Sequence, residues 1–215
     1  MKNLFKTALI SLSFVLLANG AVAAGDAAAG EANAGACAAC HGSDGNSLAA
    51  SFPKLASLGE KYLIKQMQDI KSGSRPVVEM TGQLDSMSDQ DIADLAAFYS
   101  SKAMQLSGAK EMEVQMGTGA MVDAIALGTK VFRAGNMETS VPACTGCHSP
   151  SGQGNSPAGY PRLGGQHAGY IEKQLRDFRA GNRTNDGDNK VMRDVAAHMS
   201  DAEIIAVSNY ISGLH

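Results

Sequence analysis

The pentapeptide Cys-x-x-Cys-His occurs twice in this chain. It stands as Cys37-Ala38-Ala39-Cys40-His41 and as Cys144-Thr145-Gly146-Cys147-His148, and the two copies use all 4 cysteines. Residues three apart on a helix share one turn, so both thiols of a copy can bond to the two vinyl groups of one macrocycle. The His that follows then points its imidazole at the metal. This is the attachment pattern of c-type haem. It constrains folding as well as chemistry, because each copy must be enclosed by enough chain to cover a large apolar group.

The two halves also match outside the cysteines. Gly45-Asn46-Ser47 aligns with Gly154-Asn155-Ser156, and Phe52-Pro53-Lys54-Leu55 with Tyr160-Pro161-Arg162-Leu163. Tyr62, Lys65 and Gln66 align with Tyr170, Lys173 and Gln174, Gly73 and Arg75 with Gly181 and Arg183, and Met87-Ser88-Asp89 with Met199-Ser200-Asp201. One unit has been duplicated in tandem, so each half is expected to be one small domain with one haem. A half of this size has difficulty burying a core of its own, and a central apolar cofactor makes up the shortage.

The pattern within each unit is helical. Ile92, Leu95, Ala96 and Tyr99 recur at the spacing of a buried helix stripe, as do Ile204, Val207, Ser208 and Ile211. Ser88 with Asp91 and Ser200 with Glu203 have the form of capping boxes. Middle helices are expected over about 60–71 and 168–179, closed by Gly73 and Gly181. No alternating strand pattern stands out. The expected architecture is all-α, with one haem domain over 25–103, a second over 123–215 and a linker over 104–122. The linker methionines, Met104, Met112, Met116 and Met121, are expected to cover apolar surface.

Residues 1–24 read as a secretory signal, with Lys2 and Lys6, an apolar run from Leu9 to Ala18, and the small-residue site Ala21-Val22-Ala23. The run is short for a membrane span, and no cysteine stands at the cleavage site to carry a lipid. Export to a periplasm suits covalent haem attachment. The net charge of −3 becomes about −5 once Lys2 and Lys6 leave with the signal. The first half is the more acidic one. That balance argues against nucleic acid and an anionic membrane surface as main partners.

His41 and His148 are the proximal iron ligands that the motif implies. The sixth ligand decides function, since an open iron binds small molecules and a closed one only exchanges electrons. The first half holds no His besides His41, so it cannot build a bis-His iron. His198 aligns with Ser86 and has no repeat equivalent. It, His167 and His215 read as surface or polar-network residues.

Two methionine pairs survive the alignment, Met80 with Met192 and Met87 with Met199. Met87 and Met199 precede the cap serines, where a side chain staples onto Ile92 or Ile204. Met80 and Met192 fall in segments expected to be irregular, from which a thioether can be aimed at an iron, and they are the favoured axial ligands. Core filling is their alternative role. The Pro53 and Pro161 carbonyls are candidates to accept the proximal imidazole Nδ1–H, with plain turn prolines as the alternative. Arg75 and Arg183 suit haem propionates, or equally a solvated helix end. Zinc and dithiol redox chemistry fit poorly, because the Cys pairs lie far apart and lack a βαβ context.

These motifs, with the run from Asn182 to Asp188 through Met192 and the terminal Tyr210-Ile211-Ser212-Gly213-Leu214-His215, resemble the diheme cytochrome c4 family over essentially the whole mature chain. The resemblance implies two cytochrome c domains about a pseudo-twofold axis and two covalently bound haem c groups. It implies Cys37, Cys40, His41 and Met80 at one haem, and Cys144, Cys147, His148 and Met192 at the other. It further implies a periplasmic electron carrier, loosely associated with the inner membrane. Such a carrier lies between an upstream quinol-oxidising cytochrome complex and a downstream terminal oxidase. Family members often have Leu where this chain has Met87 and Met199. The alternative function is a diheme redox enzyme, of peroxidase or thiosulfate-oxidising type, with an open iron.

Overall fold

In a computed structural model, residues 24–215 are described. The signal reading of 1–24 therefore lies almost wholly outside the described residues. Helices α1 (Ala27–Asn33), α2 (Gly35–His41), α3 (Glu60–Lys71) and α4 (Asp89–Ser101) form the first half. Strands β1 (Glu113–Gln115) and β2 (Met121–Asp123) follow, then helices α5 (Ala124–Ala134), α6 (Thr145–His148), α7 (Ala168–Ala180), α8 (Val191–Ala197) and α9 (Asp201–Gly213). Among the described residues no helix is long and apolar enough to cross a membrane.

Each half has its own core. Leu63, Leu95, Ala96, Phe98 and Tyr99 pack together in the first, and Phe132, Ile171, Leu175, Ile204 and Val207 in the second. The stripes expected on α4 and α9 are buried throughout. Both capping boxes form, with Ser88 and Ser200 accepting from the amides of Asp91 and Glu203 while those carboxylates bond back. The entry helix of each half crosses its final helix backbone to backbone. A Cβ on Gly30 would lie 2.0 Å from the Asp94 carbonyl oxygen, and one on Gly128 would lie 2.3 Å from that of Ala206.

Two expectations are corrected. The segment read as a linker is not free of strands. β1 and β2 pair antiparallel, with Val114 opposite Val122, and Val114 packs on Ala124, Ala202 and Ala206. Each strand is only three residues long, too short for alternation to register. Met104 is buried in the first core, whereas Met121 is 53% exposed.

The second correction concerns the repeat. The carbonyl of Gly45 accepts from Leu55 and Ala56, and that of Gly152 accepts from Leu163 and Gly164. Both glycines have positive φ, and a Cβ on either would strike the amide of the paired segment at 2.9 Å. The structural partner of Gly45 is therefore Gly152, not Gly154. The extra residue of the second half lies between Gly152 and Pro161.

Candidate haem sites

Each motif is presented by a short helix. Ala34 joins α1 to α2, which carries Cys37, Cys40 and His41. In the second half an added loop, closed by a bridge between Asn136 and Val141, separates α5 from α6. Cys144 caps α6, which holds Cys147 and His148. All four cysteines are free thiols. Burial pushes the Cys144 thiol up to about 11 and raises that of Cys37. These are not the acidic thiols of a dithiol redox motif.

The two histidines are held alike. His41 is 7% exposed and His148 8%. The Nδ1 of His41 lies 2.9 Å from the Pro53 carbonyl, and that of His148 lies 2.9 Å from the Pro161 carbonyl. A carbonyl accepts only, so each Nδ1 carries the proton and each Nε2 keeps its lone pair. Burial holds both imidazoles below their ordinary value, against the opposing effect of the proline carbonyls. Phe52 and Tyr160 stand edge-on to them at 6.3 and 6.1 Å. Both carbonyl roles read from the sequence are thus present.

Paired free thiols one turn apart, followed by a neutral imidazole with an open Nε2, are the donor set that haem c requires. The residues fit the group in both halves.

The methionines divide less simply. Met199 is buried in the second core with Ile204, and Met87 packs on the first, as expected of staple positions. Met80 ends a 3-10 turn, Val78–Met80, and is half-buried. Met192 does not lie in irregular chain, contrary to expectation. It occupies the first turn of α8, whose N-cap, Lys190, is left-handed, and it packs against the second core.

Arg75 and Arg183 are buried, which overturns the solvated helix-end alternative. Arg75 donates to Gln66 Oε1 at 2.8 Å, to Gln174 Oε1 at 3.0 Å and to the Tyr170 hydroxyl at 3.1 Å. Arg183 donates to Gln174 Oε1 at 2.7 Å, to Gln66 Oε1 at 2.9 Å and to the Tyr62 hydroxyl at 3.3 Å. Exchanging the two halves maps one set of bonds onto the other, so this network lies on a pseudo-twofold axis between the domains. Burial pushes the Tyr62 phenol up, but the two guanidiniums outweigh it and hold the phenol below its ordinary value.

A second junction was not read from the sequence. Residues 165–167 of the second half grip the loop of the first that runs from Ser47 to Lys54. His167 bonds Ser47 and Ser107, as a polar-network residue should. His198 is exposed.

The model of the family described as cytochrome c matches twice, over residues 22–102 and 125–215. Cytochrome c4 of Azotobacter vinelandii is 53% identical over 83% of this chain and 84% of its own. Cytochrome c4 of Pseudomonas aeruginosa is 54% identical over the same shares. The chain belongs to the cytochrome c4 family. The crystal structure of reduced recombinant cytochrome c4 from Pseudomonas stutzeri superposes with a TM-score of 0.82 at 52% identity, covering 89% of this chain and all of that one.

Membership makes the protein a diheme electron carrier rather than the redox enzyme kept as the alternative. It carries two covalently bound haem c groups, one for each Cys-x-x-Cys-His motif.

Proposed function

We propose that this chain is a periplasmic carrier, exported by a cleaved signal, that passes electrons from a quinol-oxidising cytochrome complex to a terminal oxidase. Cys37 and Cys40 would anchor one haem, with His41 and Met80 holding its iron. Cys144 and Cys147 would anchor the other, with His148 and Met192 holding its iron. When bound, each haem supplies a one-electron Fe(III)/Fe(II) couple.

The observation that carries this reading is the matched pair of bonds from His41 to Pro53 and from His148 to Pro161, each 2.9 Å. A proton fixed on Nδ1 keeps Nε2 as the donor and prevents the ring from rotating. The surrounding core excludes water from the imidazole. The domain division stays at 25–103 and 123–215 with 104–122 between them, a segment that starts in the first core at Met104 and packs on the second half through the β1–β2 hairpin. Arg75 and Arg183, buried with mostly neutral partners, suit the carboxylates of the haems.

Oxidation of the reduced protein by membranes from its own organism tests the partner assignment. Rapid oxidation that stops with a terminal-oxidase inhibitor is expected. Oxidation that is no faster than in buffer overturns it.

A further inference from the structure

We propose that Gln166, in the second domain, is a positioning residue for the proximal histidine of the first, and that it lowers the reduction potential of the N-terminal haem. The inference rests on the reading of His41 as an iron ligand.

The peptide group joining Pro53 to Lys54 is engaged at both ends. Its oxygen accepts from His41 Nδ1 at 2.9 Å, and its N–H donates to Gln166 Oε1 at 2.9 Å. Gln166 Nε2 also donates to the Lys54 carbonyl at 2.9 Å. One side-chain amide therefore docks on the Lys54 backbone by two bonds, as a paired strand would. Gln166 is 1% exposed and Lys54 4%, so the chain of bonds is shielded from water. The His167 amide donates to the same Gln166 oxygen at 3.1 Å and fixes its orientation.

Bonds in series polarise one another. Donation from the Lys54 N–H makes the Pro53 oxygen more negative and a stronger acceptor. It then draws on the Nδ1 proton of His41 and enriches the ring. An electron-rich axial nitrogen favours Fe(III) over Fe(II), which lowers the potential.

The device exists on one side only. Pro161 accepts from His148 at the same distance, but among the described residues the Arg162 amide has no hydrogen-bond partner. The repeat counterpart of Gln166 is Leu58, which has no polar side-chain atom. The two proximal histidines thus differ in the hydrogen-bond chain behind them, through a contact that only the assembled pair of domains makes.

The test is a redox titration followed separately at each haem by NMR, on the holoprotein and its Gln166→Met variant. The N-terminal haem is expected to shift to higher potential and the C-terminal haem to stay. In the reduced wild type, His41 Nδ1–H should resonate downfield of His148 Nδ1–H, and the difference should shrink in the variant. Gln166→Glu keeps the acceptor and should not raise the potential. Ser107→Ala loosens the same junction without touching the Pro53–Lys54 peptide and should leave both potentials unchanged.

An unshifted N-terminal haem, equal shifts at both haems, or a shift with Ser107→Ala as large as with Gln166→Met overturns the proposal. If Gln166→Met does not fold, equal Nδ1–H shifts for His41 and His148 in the wild type overturn it alone. Haem ring-current shifts on the His41 ring report ligation independently, so failure of the ligand reading is distinguishable.

Discussion

Arg75 and Arg183, from opposite domains, donate to the same oxygen, Gln66 Oε1, at 2.8 and 2.9 Å. Two buried cations converging on one neutral acceptor make Gln66 hard to replace. Gln66→Leu leaves both guanidiniums short of a partner. It should cost about 3 kcal/mol of unfolding free energy and separate the thermal transitions of the two domains. Calorimetry of the holoprotein checks this, and a single unaltered transition would contradict it.

His167 makes the domain junction acid-sensitive. Its Nε2 lies 3.0 Å from the Ser47 carbonyl and its Nδ1 lies 3.0 Å from the Ser107 hydroxyl. Burial holds its pKa below the ordinary value and the nearby Lys54 charge adds to this, while the Ser47 carbonyl opposes. The folded pKa is therefore below the unfolded one, about 6.5. The stabilisation is complete above that value and is lost as pH falls through the folded pKa. Denaturant midpoints measured downward from pH 7 should fall more for the wild type than for His167→Asn.

The helix crossings tolerate no added carbon. Gly30→Ala and Gly128→Ala each force a Cβ into a carbonyl oxygen, at 2.0 and 2.3 Å. Each should cost about 1–3 kcal/mol through separation of the crossing helices. Gly35→Ala and Gly146→Ala meet nothing within 4 Å and should stay close to wild type when all four variants are unfolded in urea.

How much the sequence shows depends on the range of the interaction. Ser88 with Asp91, Ser200 with Glu203, and the stripe from Ile92 to Tyr99 are local patterns, and each forms as read. The Pro53 and Pro161 carbonyls were legible because the repeat places both a dozen or so residues after the His. The burial of Arg75 depends on Tyr170 and Gln174, which reach it only from the other domain. Locally, Arg75 looks like any charge beyond a helix end. Gln166 was missed for the opposite reason, since a repeat alignment highlights what both halves share and its counterpart is Leu58. Met192 was misplaced because α8 starts from a left-handed Lys190 without a capping side chain.

The central claim is that both irons are closed by methionine, so that the protein only exchanges electrons. The absorption of the ferric protein in the region of the sulfur-to-iron charge-transfer band tests it most directly. The band should account for two haems, and Met80→Ala and Met192→Ala should each remove half of it. A high-spin resting spectrum with fast peroxide turnover would contradict the account, as would loss of the band on substituting Met87 or Met199 in a folded protein.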